Sequence, residues 1–304
     1  MSSELTRRVL VGVIAAPVTI AILVVGEYWL AGLIAVASAL AAWEFFRMAR
    51  AAGFTPLDNA GIAIAGLVPL IVQARFLGIY APNAAVGPAS LASLVLLGLL
   101  ALSIWTRGVA GKPLGAVAST AFGIAYTGGM LSYAYAIRYH DYAFAPATLS
   151  LGSRQLAVPS GGLLLLLPVF ITWASDIGAY AVGRTVGRRK LLPSVSPGKT
   201  LEGAIGGLIA SMLVAWVYTR FVLRPASHLD FAFPPSGILL FGALVSVAAQ
   251  VGDLAESLLK RDAGVKDSSH IIPGHGGVLD RCDSLLFVLP VSYVLLTAML
   301  KWAP

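Results

Sequence analysis

Between Ser257 and Asp283 the chain sets Ser257, Lys260-Arg261, Lys266-Asp267, His275-Gly276-Gly277 and Asp280-Arg281-Cys282-Asp283 within fewer than thirty residues, between two apolar runs. Hard oxygen donors with few nitrogens suit Mg2+, which takes one or two carboxylates and fills its other positions with water and substrate phosphates. The adjacent Lys and Arg side chains suit phosphate, and glycines at 274, 276 and 277 let backbone N–H groups come close to an anion. Carboxylates, a metal and basic groups together equip a site for phosphoryl or nucleotidyl transfer, where catalysis is mostly positioning and charge neutralisation.

The residues just upstream belong to the same chemistry. Asp253, Glu256, Ser257 and Lys260 stand at i, i+3, i+4 and i+7, so one helix face carries all four as a polar stripe. Asp280 and Asp283 are again i and i+3, at the start of an apolar run, where carboxylates suit a helix N-terminus; for Asp283 that capping role competes with a place in the site.

A second cluster lies earlier. Asp176, Tyr180, Gly183 and Gly187 recur at helical spacing, ahead of Arg184, Arg188, Arg189 and Lys190. An acid at that depth must face protein, water or a cation, either in a site or in an ion pair with Arg184. Ser196-Pro197-Gly198-Lys199-Thr200 then opens an apolar run. It is no Walker A motif, because the first glycine would fall at Pro193 and no strand precedes it. Two readings of it stand: a phosphate site at a helix N-terminus, or capping by Ser196 or Thr200 with Lys199 as a topology charge.

The elements that must hold these residues are membrane spans. The 304 residues are 58% hydrophobic and 12% charged, with a mean hydropathy of +0.85. No soluble domain of this size has the interior to bury that much apolar surface. Nine apolar runs approach the ~20 residues that cross a bilayer, centred on 10–25, 29–43, 60–72, 91–105, 114–137, 162–182, 203–222, 238–255 and 284–300. The expected fold is an all-α polytopic membrane protein of about nine transmembrane helices.

With the N-terminus cytoplasmic and the C-terminus outside, fifteen Lys and Arg fall on the inner side and six on the outer, as the positive-inside rule requires. Residues 1–137 read as a scaffold of packed spans. Residues 138–304 read as the catalytic region, with cytoplasmic loops at 184–202 and 257–282. The same asymmetry accounts for the net charge of +7 without nucleic acid, although basic loops also attract acidic lipids.

A single cysteine, Cys282, excludes a disulfide framework and a Cys-rich zinc site. Arg7-Arg8 before the first apolar run reads as the flank of a retained first helix. In the first half Glu44 is the one acid near the inner end of a span, where an interfacial pair with Arg47 or Arg50 is expected. Glycine and alanine along the spans permit close helix packing, and a homodimer, without demanding one.

The stretch from Ser257 to Asp283 resembles the signature of the phosphatidate cytidylyltransferase (CDP-diacylglycerol synthase) family: S, then K-R, K-D, H-G-G and D-R-x-D, carried here by Ser257, Lys260-Arg261, Lys266-Asp267, His275-Gly276-Gly277 and Asp280-Arg281-Cys282-Asp283. Gly252-Asp253-Leu254, the Ser196-Pro197-x-Lys199-Thr200 loop and the Asp176 to Gly187 segment extend the likeness over roughly residues 170 to 290. Two positions depart from the pattern. Cys282 stands where an aliphatic residue or threonine is usual, and Gly198 where a second lysine is common.

The resemblance implies transfer of CMP from CTP to phosphatidic acid, giving CDP-diacylglycerol and pyrophosphate, with Mg2+ alone or with a second cation. On that reading Asp253 and Asp280 hold the metal, and Lys260 and Arg281 act in catalysis. Ser196, Lys199, Thr200, Ser257, Arg261, Lys266, Asp267, His275, Gly276 and Gly277 bind substrate, with Asp176 and Asp283 completing the polar pocket. The active site then faces the cytoplasm from a bacterial-type inner or plasma membrane. A CTP-dependent lipid-alcohol kinase and an ion-coupled transporter are the competing readings; the kinase needs a base that a phosphate monoester acceptor does not.

Overall fold

Helix dominates the chain. In this computed structural model the described residues are 3–79, 87–140, 146–151, 154–233, 235–272, 274 and 276–302. Eight of the nine apolar runs lie within a helix and the ninth, 284–300, passes one residue beyond its helix: α1 Ser3–Val25, α2 Glu27–Ala51, α3 Asp58–Phe76, α4 Pro88–Thr106, α5 Pro113–Arg138, α6 Ser160–Val186, α7 Leu201–Ser227, α8 Ser236–Asp262 and α9 Leu279–Met299. Among the described residues, eight helices are long and apolar enough to cross a membrane, and Ala15–Val25 of α1 is a shorter apolar stretch. The protein is a multi-pass membrane protein. Helices overrun the apolar runs where the flanking residues are polar helix formers: α8 continues to Asp262, so Asp253, Ser257 and Lys260 all lie on one uninterrupted helix.

Three short antiparallel pairs punctuate the helices: β1 Pro146–Leu151 with β2 Arg154–Pro159, β3 Lys190–Leu192 with β4 Ser196–Thr200, and β5 Leu229–Phe231 with β6 Leu300–Trp302. The second pair lies in what hydropathy alone reads as a plain loop.

The chain divides into two compact units. One comprises Met1–Leu30, Tyr133–Leu258 and Cys282–Pro304; the other comprises Ala31–Ser132 and Leu259–Arg281. In the first, Gly178 on α6 and Gly206 on α7 let the two helices meet backbone to backbone, since a Cβ on Gly178 would come within 2.8 Å of the Gly206 carbonyl oxygen. Polar bonds fix the register of these helices in the absence of a hydrophobic drive from lipid. Ser175 and Ser246 share a hydrogen bond of 2.9 Å, and the Gln250 amide donates to the Ala204 carbonyl at 3.1 Å. Arg138, at the end of α5, donates to the carbonyls of Val24 and Val25 at 2.8 and 2.9 Å, a cation set against the C-terminus of α1.

In the second unit a π-helical turn at Ala125–Gly129 interrupts α5, and Gly128 there lies against the backbone of Ala65 on α3. Phe45, Phe122 and Tyr126 form an aromatic cluster with successive centroids 5.5 Å apart. The Leu57 amide, ahead of α3, donates to the Thr120 hydroxyl at 2.8 Å. Arg50 pairs with Asp58 across the α2–α3 connection.

Candidate functional site

Each unit holds a polar centre built from residues the sequence singles out. In the first unit the β3–β4 hairpin delivers Ser196-Pro197-Gly198-Lys199-Thr200 to the start of α7. Thr200 is the N-cap, accepting from the Gly203 amide at 3.1 Å, which realises the capping alternative for that residue. Glu202, in the first turn, accepts from the Arg188 and Arg189 amides at 3.0 and 3.1 Å and so ties the hairpin's entry to the helix. Ser196 is half-buried, and Arg188, Arg189 and Lys190 are exposed or nearly so.

Lys199 reaches from this hairpin to α8, where its ammonium lies 2.6 Å from an Asp253 carboxylate oxygen. The two side chains are 27% and 33% exposed, so the pair is partly open to solvent. One turn on, the Ser257 hydroxyl faces the other Asp253 oxygen at 3.4 Å. Gly252 lets the start of α9 close on α8 at this level: a Cβ there would come within 2.8 Å of the Asp283 carbonyl oxygen. The Asp283 carboxylate accepts from the Ser284 amide at 2.6 Å, a bond to its own helix's first turns. Asp176 is exposed on α6, and Arg184, the cation nearest in sequence, donates to the Tyr180 hydroxyl at 2.6 Å.

In the second unit the loop after α8 is organised by two carboxylates. Asp280 is 6% exposed and Lys260, 12% exposed, donates to its Oδ1 at 2.8 Å. Its Oδ2 accepts from the Ser268 hydroxyl at 2.9 Å, the Ser268 amide at 3.1 Å and the Gly277 amide at 2.8 Å. The bond back to Gly277 ties the turn ahead of α9 to a carboxylate in that helix's first turn. Gly276 takes a positive φ of 81°, and a Cβ on it would approach Asp280 Oδ2 to 2.8 Å, so glycine meets both the backbone and the space.

The other carboxylate is Glu44 of α2, fully buried. The expected interfacial pair with Arg47 or Arg50 is not what forms: Arg47 lies over the Trp43 ring, 4.8 Å from its centroid, and Arg50 is bound to Asp58. Glu44 instead accepts from Ser268 and Ser269 of the loop and from the Val278 and Leu279 amides. A buried carboxylate needs such donors, and the loop supplies them from both of its ends. Arg261, Lys266, Asp267 and Arg281 point outward and are exposed, with Arg261 bonded to the Val265 carbonyl at 3.3 Å. His275 lies outside the described residues.

The geometry thus joins Lys199, Asp253 and Ser257 in one unit, and Lys260, Asp280 and Gly277 in the other. Sequence reasoning missed Glu44, Ser268 and Glu202. Glu44 carried a weak signal, an acid well inside an apolar run; its partners lie more than two hundred residues away and no spacing rule links them.

A cation finds different fits at the two expected metal carboxylates. Among the described residues no three acidic, histidine or cysteine side chains converge. Asp253 fits directly, since it is a third exposed and its partners are one flexible amine and, at 3.4 Å, one hydroxyl. Asp280 has both oxygens engaged by Lys260, Ser268 and Gly277, so a cation there competes with protein donors.

One unit thus offers a part-exposed carboxylate beside an amine, and the other a glycine turn anchored by two buried carboxylates. The sequence profile of the Cytidylyltransferase family matches residues 6–299. The chain belongs to that family. A phosphatidate cytidylyltransferase of Synechocystis sp. is 31% identical over 305 residues, covering 97% of each chain. Those of Haemophilus influenzae and Bacillus subtilis are 49% identical over 133 residues and 45% over 126, spanning 43% and 41% of this chain and 45% and 44% of their own. In this cytidylyltransferase the likeness seen at Ser257–Asp283 therefore extends along almost the whole chain.

Proposed function

We propose that this cytidylyltransferase transfers CMP from CTP to phosphatidic acid, yielding CDP-diacylglycerol and pyrophosphate. The observation that carries the reading is the Lys199–Asp253 pair, an amine and a carboxylate set together and part-exposed beside the N-terminus of α7. The near full-length likeness to a phosphatidate cytidylyltransferase supports it and names the acceptor.

An oxygen of the lipid phosphate attacks the α-phosphorus of CTP. The new P–O bond forms as the bond to the β-phosphate oxygen breaks, and pyrophosphate leaves with that electron pair. A phosphate monoester is already anionic at neutral pH, so no base is needed to generate the nucleophile. Lys199, Lys260, Arg261, Lys266 and Arg281 hold phosphates and offset their charge, each as a point charge or, for Arg, a planar fork. Ser196, Thr200, Ser257, Asp267, His275, Gly276 and Gly277 line the substrates, and Asp176 and Asp283 complete the polar surroundings.

Mg2+, alone or with a second cation, is proposed at Asp253 and Asp280, where it would neutralise the triphosphate. Without substrate Lys199 and Asp253 compensate each other. A triphosphate gives the ammonium a new partner, which frees the carboxylate.

The N-terminus is proposed to be cytoplasmic and the C-terminus outside, so that the basic loops at 184–202 and 257–282 meet CTP in the cytoplasm while the lipid stays in the bilayer. Dimerisation is compatible with the small residues on the helix faces. The test is pyrophosphate release by the purified protein. Release that requires both CTP and phosphatidic acid supports the reading, and release without lipid contradicts it.

A further inference from the structure

We propose that Glu44 is the positioning residue of the signature loop, holding Gly276, Gly277 and Asp280 in place from a helix more than two hundred residues away in sequence; this rests on the reading that the loop handles substrate phosphates. Glu44 lies on α2 with no exposed surface. Its Oε1 accepts from the Ser269 hydroxyl at 2.5 Å and the Val278 amide at 3.0 Å, and its Oε2 from the Ser268 hydroxyl at 3.0 Å and the Leu279 amide at 2.6 Å.

Two of these donors precede the glycine turn and two follow it, so a single carboxylate ties the two ends of the segment to one point. The second pair are free amides at the start of α9, where a negative charge is favoured. Gly277 lies directly over the carboxylate, and a Cβ at that position would meet the Glu44 and Ser268 side chains.

The chemistry requires a carboxylate. Each oxygen here faces one backbone amide and one serine hydroxyl, the Ser268 proton being shared with Asp280; a glutamine of the same shape would turn an NH2 group toward an amide and a hydroxyl. Ser268 couples the two carboxylates, since its single hydroxyl proton is shared between Glu44 Oε2 at 3.0 Å and Asp280 Oδ2 at 2.9 Å, and its amide lies 3.1 Å from the same Asp280 atom. Displacing Ser268 from Glu44 therefore disturbs the donor set of Asp280, and with it the Lys260 ammonium on Oδ1. Glu44 acts through the loop and touches no substrate.

The experiment uses the full chain purified in lipid nanodiscs, comparing wild type with Glu44→Gln, Glu44→Asp and Ser269→Ala. For Glu44→Gln we expect a folded protein whose kcat falls about 100-fold, the scale at which a site displaced by about 1 Å loses rate. Its KM for CTP should rise about tenfold, and the amides of 268–279 should exchange with deuterium at least about tenfold faster than in wild type. Glu44→Asp, which keeps the charge, should recover part of kcat, and Ser269→Ala should move both readouts the same way by a smaller factor.

A Glu44→Gln enzyme with kcat, KM and exchange all near wild type overturns the proposal, as does a loss of activity that only tracks loss of folded protein. Should Glu44→Gln not fold, Ser269→Ala decides, with unchanged KM and unchanged exchange counting against the proposal. A wild-type protein without activity would contradict the function reading alone, because exchange at 268–279 still reports whether Glu44 holds the loop.

Discussion

The Lys199 ammonium lies 2.6 Å from Asp253 Oδ2, linking the base of a hairpin to the helix that carries the polar stripe. With both side chains about a third exposed, solvent screens the pair, and its worth to stability is below about 1 kcal/mol. The proposed function gives the pair a role instead: two opposite charges held together where a phosphate and a cation would bind.

Lys199→Ala should leave the melting temperature almost unchanged while raising KM for CTP by about 10- to 100-fold, the loss of one hydrogen bond to a charged group. Thermal unfolding and steady-state kinetics on the same preparation check this. A fall in stability with unchanged KM would make the pair structural.

Asp253→Asn should abolish measurable turnover in a protein that still elutes as folded in detergent. The Mg2+ dependence of wild-type activity should be complete, with chelation removing it and Mg2+ restoring it. Asp280→Asn should also stop turnover. It should in addition lower the melting temperature, because it disturbs acceptors for Lys260, Ser268 and Gly277 in a buried place. Near-normal rates in either variant would refute its role.

Thr200→Val removes an N-cap acceptor and should cost about 1 kcal/mol of stability. Glu202→Gln should instead loosen the hairpin entry at Arg188 and Arg189, read as faster proteolysis between 184 and 199 with little change in melting temperature.

Gly252→Val should destabilise by about 1–3 kcal/mol, since the new side chain would strike the Asp283 carbonyl and Ser284 on α9. Gly198→Lys, which restores the residue common at that position in the resembled signature, has open space around it and should keep stability while lowering KM for CTP. Measured melting curves and CTP titrations test both.

Hydropathy sufficed to locate the eight helices that, among the described residues, are long and apolar enough to cross a membrane, because a bilayer demands long apolar helices with their backbone bonds satisfied internally. The polar stripe on α8 was equally legible, since helical periodicity alone puts Asp253, Ser257 and Lys260 on one face. The β3–β4 hairpin was not, because Ser196-Pro197-Gly198 reads as a turn and only pairing with Lys190–Leu192 makes the segment extended. Thr200 could be named as one of two possible caps, but the choice between it and Ser196 depends on where the helix begins.

Glu44 shows the limit most clearly. A local rule offers Arg47 or Arg50 as its partner, whereas burial selects donors from a loop remote in sequence. The opposite holds for Lys260 and Asp280: their place in the signature was evident, and their direct 2.8 Å contact was not.

The most direct measurement is incubation of the purified protein with phosphatidic acid, Mg2+ and CTP labelled either in the cytidine ring or at the γ-phosphate. The account predicts that ring label enters the lipid fraction as CDP-diacylglycerol while γ-label leaves as pyrophosphate. Label from the γ-phosphate in lipid, with the ring label left in solution, would contradict it and establish a kinase instead.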